Sequence, residues 1–489
     1  MAGTPSKLML VVVDGMKPSA LERAVATGRA PTLGLLMDRG TYVDDCCAAF
    51  PSVTPVCAGA IATGTLQDRH HIPSMNWWSR EEKRYVEYGS SFGAARRLGI
   101  NRQLVDTVYN MNMEHLSEAT PTVFEELDDA GLRTAGTTYL MYRGRHEHTA
   151  SKDSALTRIA GQTLFRRPIL GPRELFYADV YASRTTGCKS QLGMPGMRDQ
   201  HSGCVSAYMV EHDLFDFLLL SLPDNDTHSH KNGPHAQVTS IHDADHQIER
   251  VMKAAGGVEE FLAGHAVIVV ADHSHAAVEQ RVDVIDAFGD LAVAGPGRAK
   301  LADAEIAVCP AQRSAMVYVL VPGAREHVLP QVLGTALDLD GVDLVMHREQ
   351  GVAIVTSRRG ALSFAPGPEV RDARGGEWIV RGNLEVLDAR VQDGVFTSDA
   401  YPDALARVWA ALECPTSGDV LLSASPGYEF ADWGGADHVG GGSHGSLHRS
   451  DSLGALVFAG IEVDDPPSQW SIRDIAGMVR THFRLPSAG

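Results

Sequence analysis

Long apolar stretches are absent from this chain of 489 residues. The first strongly apolar run, residues 8–13, ends at Asp14 and is too short for the core of a signal peptide. No other run approaches the roughly 20 apolar residues that a transmembrane helix needs. The sequence therefore predicts a soluble protein without a membrane span or a secretion signal.

Cysteine is also scarce, with seven residues at irregular positions and no CxxC pair. An odd number without regular spacing argues against a disulfide framework, and the missing CxxC pairs argue against a cysteine-ligated zinc site. We therefore expect a cytoplasmic protein, because reduced thiols are the rule in that compartment.

Basic residues are outnumbered by acidic ones, 43 against 61, which gives a formal net charge of -18. Such a surface repels polyanions, so we expect no sequence-independent binding of nucleic-acid polymers. A small anionic substrate is compatible with this charge, because bound metal cations dominate the field within their own site.

Patterns of buried strands and helices alternate along most of the chain. Continuous apolar runs predict parallel-sheet strands at residues 8–13, 215–222 and 265–271. Helices are predicted at 31–40, after Pro55, at 236–255 and at 471–484. This alternation is typical of an α/β fold with a central, mainly parallel sheet flanked by helices.

The region 281–415 has a different character, since it mixes short Val-rich runs with Gly- and Arg-rich turns. We interpret it as an inserted, smaller α+β domain. Residues 1–280 would then form the first part of the core, and residues 416–489 would return to it.

Acidic residues follow each of the three predicted strands. Asp14 ends the first run, Asp224 and Asp226 follow the second, and Asp272 follows the third. Carboxyl ends of parallel strands are where α/β proteins place their sites. A single Asp in this position often caps a helix, but three such ends favour a common site.

Histidines accompany these strand ends. The segments LPDNDTHSHKNGP and ADHSH each contain two histidines, and another His lies in the Gly-rich segment GGGSHG. Mixed carboxylate and imidazole sets suit Zn, Mn or Fe. A solvated polar loop is the alternative for the first segment, and a simple turn is the alternative for the Gly-rich one.

Thr54 precedes Pro55 in the segment FPSVTP. Because proline is favoured in the first turn of a helix, the Thr54 hydroxyl is expected at a helix N-terminus, where free N–H groups favour phosphate. Thr54 could simply cap the helix, or it could act as a nucleophile. The two roles do not exclude each other.

The segments VVVDG, FPSVTP, DTHSHKNGP, ADHSH and GGSHG, in this order, resemble the alkaline phosphatase superfamily. Within it they are most similar to the type I phosphodiesterase/nucleotide pyrophosphatase branch. The resemblance implies an alkaline phosphatase-like core and two divalent metal ions, with zinc expected and manganese or iron as alternatives. The ligands it implies are Asp14, Thr54, Asp272 and His273 for one ion, and Asp226, His230 and His444 for the other.

Two details of this assignment depend on the family pattern. Its spacing of Asp, three residues, His, two residues and Gly-Pro selects Asp226 and His230, whereas Asp224 and His228 share only the internal spacing and stay open as the second choice. The family also uses an Asn some twenty residues after the nucleophile to hold a phosphoryl oxygen, and Asn76 is the candidate.

The function implied is a metal-dependent hydrolase of small phosphate esters, foremost a phosphodiesterase or nucleotide pyrophosphatase that passes through a phosphothreonine at Thr54. The alternatives are a phosphomonoesterase, a metal-binding protein without catalysis, and a phosphonoacetate hydrolase-like enzyme. The last would need Lys231, Arg143 or Arg145 to hold a substrate carboxylate.

Substrate choice is expected to depend on loops near residues 75–115, on the region 140–210 and on the inserted domain. We expect Trp77 and Trp78 to pack in the interior rather than stack on a base.

Overall fold

The computed structural model describes residues 6–150, 163–177, 180–190, 197–321 and 323–485. Three stretches of the region expected to influence substrate choice, 151–162, 178–179 and 191–196, lie outside the described residues. Among the described residues, no helix is both long enough and apolar enough to cross a bilayer.

An eight-stranded sheet forms the core of the described fold. Its strands lie in the order Thr41–Cys47, Leu453–Ala459, His265–Val270, Lys7–Val13, Phe217–Leu222, Thr134–Thr137, Glu174–Tyr177 and Tyr181–Ala182. The central pairings are parallel and the pairings at both edges are antiparallel. The predicted α/β class is confirmed. The sheet is mixed because two strands run opposite to the rest, Leu453–Ala459 next to one edge and Tyr181–Ala182 at the other.

The strand Lys7–Val13 shows why the central strands are apolar throughout. Leu8, Leu10 and Val12 pack into one hydrophobic cluster, whereas the alternate residues Met9 and Val11 pack into another. Successive side chains of a strand point to opposite faces, so a strand buried on both faces must be continuously apolar.

Helices cover the faces of the core sheet and fill the connections. The α-helices are Pro18–Ala26, Pro31–Arg39, Thr54–Thr63, Gln67–His70, Phe92–Leu98, Ile100–Val105, Val123–Asp129, Arg198–Glu211, Asp224–Asn232, Gln237–Lys253, Val258–Gly264, Val284–Ala287, Arg325–Asp338, Ala404–Glu413, Arg449–Ser452 and Asp474–His482. A π-helical segment spans Asp106–His115, and short 3-10 turns span Pro234–Ala236, Leu301–Asp303 and Leu384–Leu387.

A second, nine-stranded sheet contains most strands of the predicted insertion. Its path is Ile306–Ala311, Ser314–Val319, Val420–Ala424, Val342–Glu349, Val352–Ser357, Gly360–Asp372, Val395–Ser398 and Ala389–Gln392, and Glu377–Gly382 also pairs with Gly360–Asp372. The strand Val420–Ala424 belongs to this sheet although it follows residue 415. The domain boundaries themselves stay a prediction.

Smaller strand groups complete the described structure. The strands Gly427–Phe430, Ala276–Val282 and Gly442–Ser443 form a three-stranded sheet. Asn76–Ser79 pairs with Arg84–Glu87, and His146–His148 pairs with Ile169–Gly171.

One disulfide is present among the described residues, between Cys188 and Cys204. It attaches a loop to the helix Arg198–Glu211, and the five other cysteines are free and buried. The sequence argued only against a regular framework, and spacing alone does not reveal a single pair brought together by tertiary structure. Because disulfides are typical of oxidising compartments, the cysteines no longer support the cytoplasmic location, which stays a prediction.

Candidate metal centre

Three neighbouring parallel strands end at the same edge of the core sheet. They are His265–Val270, Lys7–Val13 and Phe217–Leu222, with Lys7–Val13 in the middle. The chain then reaches Asp272 after the first of these strands and Asp14 directly after the second. After the third it enters the helix Asp224–Asn232, so all three connections begin side by side.

The helix Asp224–Asn232 presents Asp226 and His230 one turn apart on the same face, with His230 Nε2 3.3 Å from Asp226 Oδ1. Asp224 instead accepts a hydrogen bond from the guanidinium of Arg198 at 2.8 Å. His228 lines a separate cavity of about 570 Å³. Of the two pairs that the sequence left open, the structure brings Asp226 and His230 to the cluster.

The first group of side chains surrounds His273, which is fully buried. Its Nε2 lies 3.3 Å from Asp14 Oδ1, 3.6 Å from Asp272 Oδ2 and 3.3 Å from the Thr54 hydroxyl oxygen. Asp272 Oδ1 accepts hydrogen bonds from the backbone N–H groups of Gly15 and His273, which fix the orientation of this carboxylate.

The second group surrounds Asp226. Its Oδ1 lies 3.3 Å from His230 Nε2, 3.4 Å from His444 Nε2 and 2.9 Å from His275 Nε2. The candidate ligand atoms of these four residues lie within 4.8 Å of one another, and so do those of Asp14, Asp226 and His273. Asp226 therefore links the two groups into one centre.

The Gly-rich segment carries His444 past the helix that bears His230. A Cβ atom at Gly441 would overlap the carbonyl oxygen of His230, so only glycine allows this approach. His230 Nδ1 in turn donates to the carbonyl of Gly442 at 2.8 Å, and His444 Nδ1 donates to the carbonyl of Ser52 at 2.8 Å. The glycines thus have a structural reason beyond a simple turn.

The electrostatics of the centre favour a cation. Burial, together with the neighbouring Asp272 and Asp226, raises the pKa of Asp14 well above its usual range. Burial lowers the pKa of His230, but Asp226 outweighs this effect and the pKa rises. Carboxylates this close to one another repel when ionised, so a proton or a cation bound between them is favoured.

The geometry fits bound metal ions. Asp14 Oδ1 and Asp272 Oδ2 are buried without a hydrogen-bond partner in the described part of the chain. Two ligand atoms held about 2.0–2.1 Å from one tetrahedral zinc lie about 3.3–3.4 Å apart. The distances from His273 Nε2 to Asp14 Oδ1 and to the Thr54 oxygen are close to this value. The distances from Asp226 Oδ1 to Nε2 of His230 and to Nε2 of His444 are close to it as well.

Thr54 is the first residue of the helix Thr54–Thr63, and Val53 occupies the N-cap position. Among the described residues, no hydrogen bond joins the Thr54 hydroxyl to a backbone N–H of this helix. The plain N-cap interpretation is therefore wrong, because the hydroxyl turns to His273 rather than to the backbone of its own helix.

Asn76 lies in the hairpin formed by Asn76–Ser79 and Arg84–Glu87. Its Nδ2 donates to the Val86 carbonyl at 3.0 Å and to Glu87 at 3.1 Å. Among the described residues, no hydrogen bond joins Asn76 to Thr54. The neighbouring Trp77 and Trp78 are buried, as the packing interpretation predicted.

Three residues near the centre have no place in the sequence-based assignment. His275 was counted in ADHSH but given no role, because the family pattern assigns only the first histidine of that segment. His438 stacks on His230 with ring centroids 3.9 Å apart and pairs with Glu429. No local motif marks this pair, since Glu429 and His438 approach His230 only in the folded chain.

A hairpin of the second sheet also reaches the centre. Gln312 has a left-handed φ of 59°, and its Nε2 lies 3.3 Å from His230 Nε2. The next residue, Arg313, is fully buried, donates its backbone N–H to the His444 carbonyl at 2.9 Å and pairs with Asp451 at 2.9 Å. The sequence offered no signal for this contact, which arises from the meeting of two sheets.

Structures with the same fold include murine ectonucleotide pyrophosphatase/phosphodiesterase 5, solved as an inactive variant in complex with AMP. It is 11% identical, with a TM-score of 0.59, and the match covers 99% of this chain and 96% of that chain. Phosphonoacetate hydrolase from Sinorhizobium meliloti 1021, in complex with phosphonoformate, is 17% identical, with a TM-score of 0.57 and coverage of 98% and 97%. At these identities the similarity establishes the fold.

A comparison with curated proteins finds no match. The family description "Type I phosphodiesterase / nucleotide pyrophosphatase" matches residues 8–447. This range contains both groups of the metal centre and most of the chain. The protein therefore belongs to the type I phosphodiesterase/nucleotide pyrophosphatase family, as its sequence motifs predicted.

Proposed function

We propose that this protein hydrolyses small phosphate diesters with the aid of divalent metal ions, and that Thr54 is the nucleophile. The observation that carries the proposal is the position of the Thr54 hydroxyl, 3.3 Å from His273 Nε2 within the carboxylate and imidazole cluster. A threonine that only capped its helix would direct this hydroxyl to a backbone N–H.

The residues that would hold the ions are those implied by the sequence: Asp14, Thr54, Asp272 and His273 for one, and Asp226, His230 and His444 for the other. Zinc is the expected metal, with manganese or iron as alternatives, because all three accept mixed oxygen and nitrogen ligands. When bound, such ions supply Lewis-acid activation of the nucleophile and neutralise charge on the phosphoryl group.

Thr54 would attack the phosphorus atom in line with the leaving group. The Thr54 hydroxyl gives up its proton to solvent, the Thr54 oxygen–phosphorus bond forms as the ester bond breaks, and the leaving alkoxide takes a proton from solvent. Water then attacks the phosphothreonine, releases a phosphomonoester and restores the hydroxyl. The N-terminus of Thr54–Thr63 favours phosphate at this position through its free N–H groups and its dipole.

Asn76 remains part of the proposal as the group that holds a phosphoryl oxygen. In the described structure its amide hydrogens bond to Val86 and Glu87 within the hairpin. Binding a phosphoryl oxygen would therefore require one of these two hydrogen bonds to break.

The phosphonate alternative has less support from the described side chains. Arg143 is buried in an ion pair with Glu125, and Arg145 pairs with Glu125 and Asp129. Lys231 lines the same separate cavity as His228. All three cations considered for holding a substrate carboxylate are thus placed elsewhere or bound by other carboxylates.

The test is an activity panel with purified protein, loaded with zinc or manganese and compared with chelator-treated protein. The substrates are bis-p-nitrophenyl phosphate, p-nitrophenyl phosphate and phosphonoacetate. Thr54→Val keeps the side-chain shape without the hydroxyl and is expected to lower kcat by more than about a thousandfold. Thr54→Ser keeps the hydroxyl and is expected to retain most of the activity.

A preference for the diester that depends on metal and on the Thr54 hydroxyl would support the proposal. A preference for the monoester or for phosphonoacetate would show that the proposed substrate class is wrong. It would leave the assignment of Thr54 as the nucleophile intact. Turnover that survives in Thr54→Val would exclude a phosphothreonine. Stoichiometric metal binding without turnover of any substrate would favour a non-catalytic metal-binding protein.

A further inference from the structure

His275 lies in the candidate metal centre, but its Nε2 is closer to Asp226 Oδ1 than the Nε2 atoms of the neighbouring histidines are. It is fully buried, and its Nε2 lies 2.9 Å from Asp226 Oδ1. The Nε2 atoms of His230 and His444 lie 3.3 and 3.4 Å from the same oxygen. A separation of 2.9 Å is typical of a direct N–H···O hydrogen bond, whereas the longer separations match two ligands of one ion.

The opposite ring nitrogens of the histidines show where their protons lie. Nδ1 of His230, of His444 and of His273 each lies within 2.8–3.1 Å of a backbone carbonyl. Because a carbonyl only accepts, the proton must be on Nδ1, which leaves the Nε2 lone pair free for a metal.

No such carbonyl accepts a hydrogen bond from His275 among the residues that the structure describes. Its Nδ1 is buried and has no hydrogen-bond partner in the described part of the chain. Since a buried N–H without an acceptor is rare and costly, the His275 proton belongs on Nε2, where Asp226 Oδ1 accepts it.

Two glycines confine the ring in this orientation. A Cβ atom at Gly15, which has a φ of 66°, would lie 2.7 Å from His275 Nε2. A Cβ atom at Gly442 would lie 3.3 Å from His275 Nδ1. The ring therefore lies between the turn that follows Asp14 and the segment that carries His444.

We propose that His275 is a positioning residue, which donates its Nε2–H to Asp226 Oδ1 and so fixes the carboxylate that joins the two halves of the centre. The carboxylate oxygen has a second lone pair for an ion. This inference rests on the proposed function, because it assumes that Asp226 binds a metal. It assigns His275 no direct contact with that metal.

Three substitutions separate positioning from direct ligation. His275→Gln can place an amide N–H near the position of Nε2, His275→Asn is too short to do so, and His275→Leu removes the donor. The control His246→Leu removes an exposed histidine from the helix Gln237–Lys253. The measurements are zinc affinity of the metal-free proteins against a competing chelator, the visible spectrum of the cobalt(II) forms, and thermal unfolding of the metal-free proteins.

We expect the Leu and Asn variants to bind one of the two ions about 10- to 100-fold more weakly, as is usual when a partner of a metal ligand is lost. The Gln variant should bind within a few fold of the parent protein and keep its cobalt spectrum. If the Leu variant does not fold, the Gln and Asn variants still provide the comparison.

Other outcomes would overturn the proposal. A changed cobalt spectrum and weak binding in the Gln variant would make His275 a metal ligand. Parent-like affinity in the Leu or the Asn variant would remove any role in metal binding. If the parent protein itself bound no metal, both the proposed function and the role of His275 in positioning a metal ligand would be overturned.

Discussion

At the scale of single residues, burial decides which histidines can carry charge. His70 is fully buried, and its Nδ1 accepts the backbone N–H of Ile72 at 3.1 Å. Burial, and to a lesser degree His71, lowers the pKa of His70 to about 3. Its ring lies against Gly59 of the helix that begins at Thr54, so its ionisation affects an element of the site.

We predict that His70 makes the protein less stable in mild acid. Its pKa in the unfolded chain is about 6.5, above its value in the folded protein. Between these pH values the unfolded state binds a proton that the folded state does not. The free energy of unfolding therefore decreases as the pH falls below about 6.5, by up to about 1.4 kcal/mol per pH unit from this group.

The measurement is denaturant unfolding of the parent protein and of His70→Asn between pH 7 and pH 5. The Asn side chain can still accept from Ile72 but does not titrate, so the stability gap between the two proteins should narrow as the pH falls. Parallel stability curves would show that His70 takes up its proton equally in the folded and the unfolded protein, which would contradict the prediction. The control is His246→Asn, which also removes one histidine but from an exposed position.

Residue identities explain why the sequence pointed to most of the side chains that the structure brings together, but not to all of their contacts. Asp14 and Asp272 follow apolar runs directly, so strand prediction also predicted where their carboxylates meet. Thr54 was given two compatible roles, and only the structure shows that its hydroxyl leaves the backbone. The role of His275 depends on a 2.9 Å contact with Asp226, which no spacing along the chain encodes.

At the scale of elements, the centre depends on a loop passing very close to a helix. We predict that Gly441→Ala destabilises the protein by about 1–3 kcal/mol, the usual cost of overpacking. The added methyl group would meet the backbone of His230, so this residue and the segment that carries His444 must move apart. Metal affinity should fall together with stability.

Gly440→Ala is the matched control for this prediction. Gly440 has a positive φ of 84°, which Gly441 does not, and a Cβ atom at Gly440 meets nothing within 4 Å. The Gly440→Ala variant should therefore lose some stability from backbone strain but keep the metal affinity of the parent protein. Equal metal affinity in the two variants would mean that the approach of Gly441 to His230 does not shape the centre.

The elements of the core were predictable because their patterns are strong. Predicted strands at 8–13, 215–222 and 265–271 correspond to Lys7–Val13, Phe217–Leu222 and His265–Val270. Strand direction at the sheet edges was not predictable, since an apolar run looks the same in either direction. For the second sheet the sequence predicted only a separate region at 281–415. It did not predict the strand order, because pairing between distant strands leaves no periodic signal in the sequence.

At the scale of the whole molecule, the centre gathers negative charge in a protein that is already acidic. Asp14, Asp226 and Asp272 lie together, and the net charge is -18. We predict that a chelator lowers the unfolding temperature, because an ion present at 100 times its Kd stabilises the folded state by about 2.7 kcal/mol.

Calorimetry of metal-loaded and chelator-treated protein measures this effect. Asp272→Asn should show a smaller difference between the two states, because one ion loses a carboxylate ligand. Asp340→Asn removes an exposed charge and should show the full difference. An unfolding temperature that stays constant while metal analysis shows complete removal of the ions would contradict the prediction.

The buried pair of Arg313 and Asp451 has an evolutionary consequence. Removing one member of such a pair leaves an uncompensated charge and costs about 3–5 kcal/mol. The hairpin that bears Arg313 also donates a hydrogen bond to the carbonyl of His444, so we expect substitutions at this edge of the second sheet to be poorly tolerated. The opposite edge, at Ala389–Gln392, lies several strands away. We therefore expect insertions and new loops to be accepted on that side more readily than in the hairpin beside the candidate metal centre.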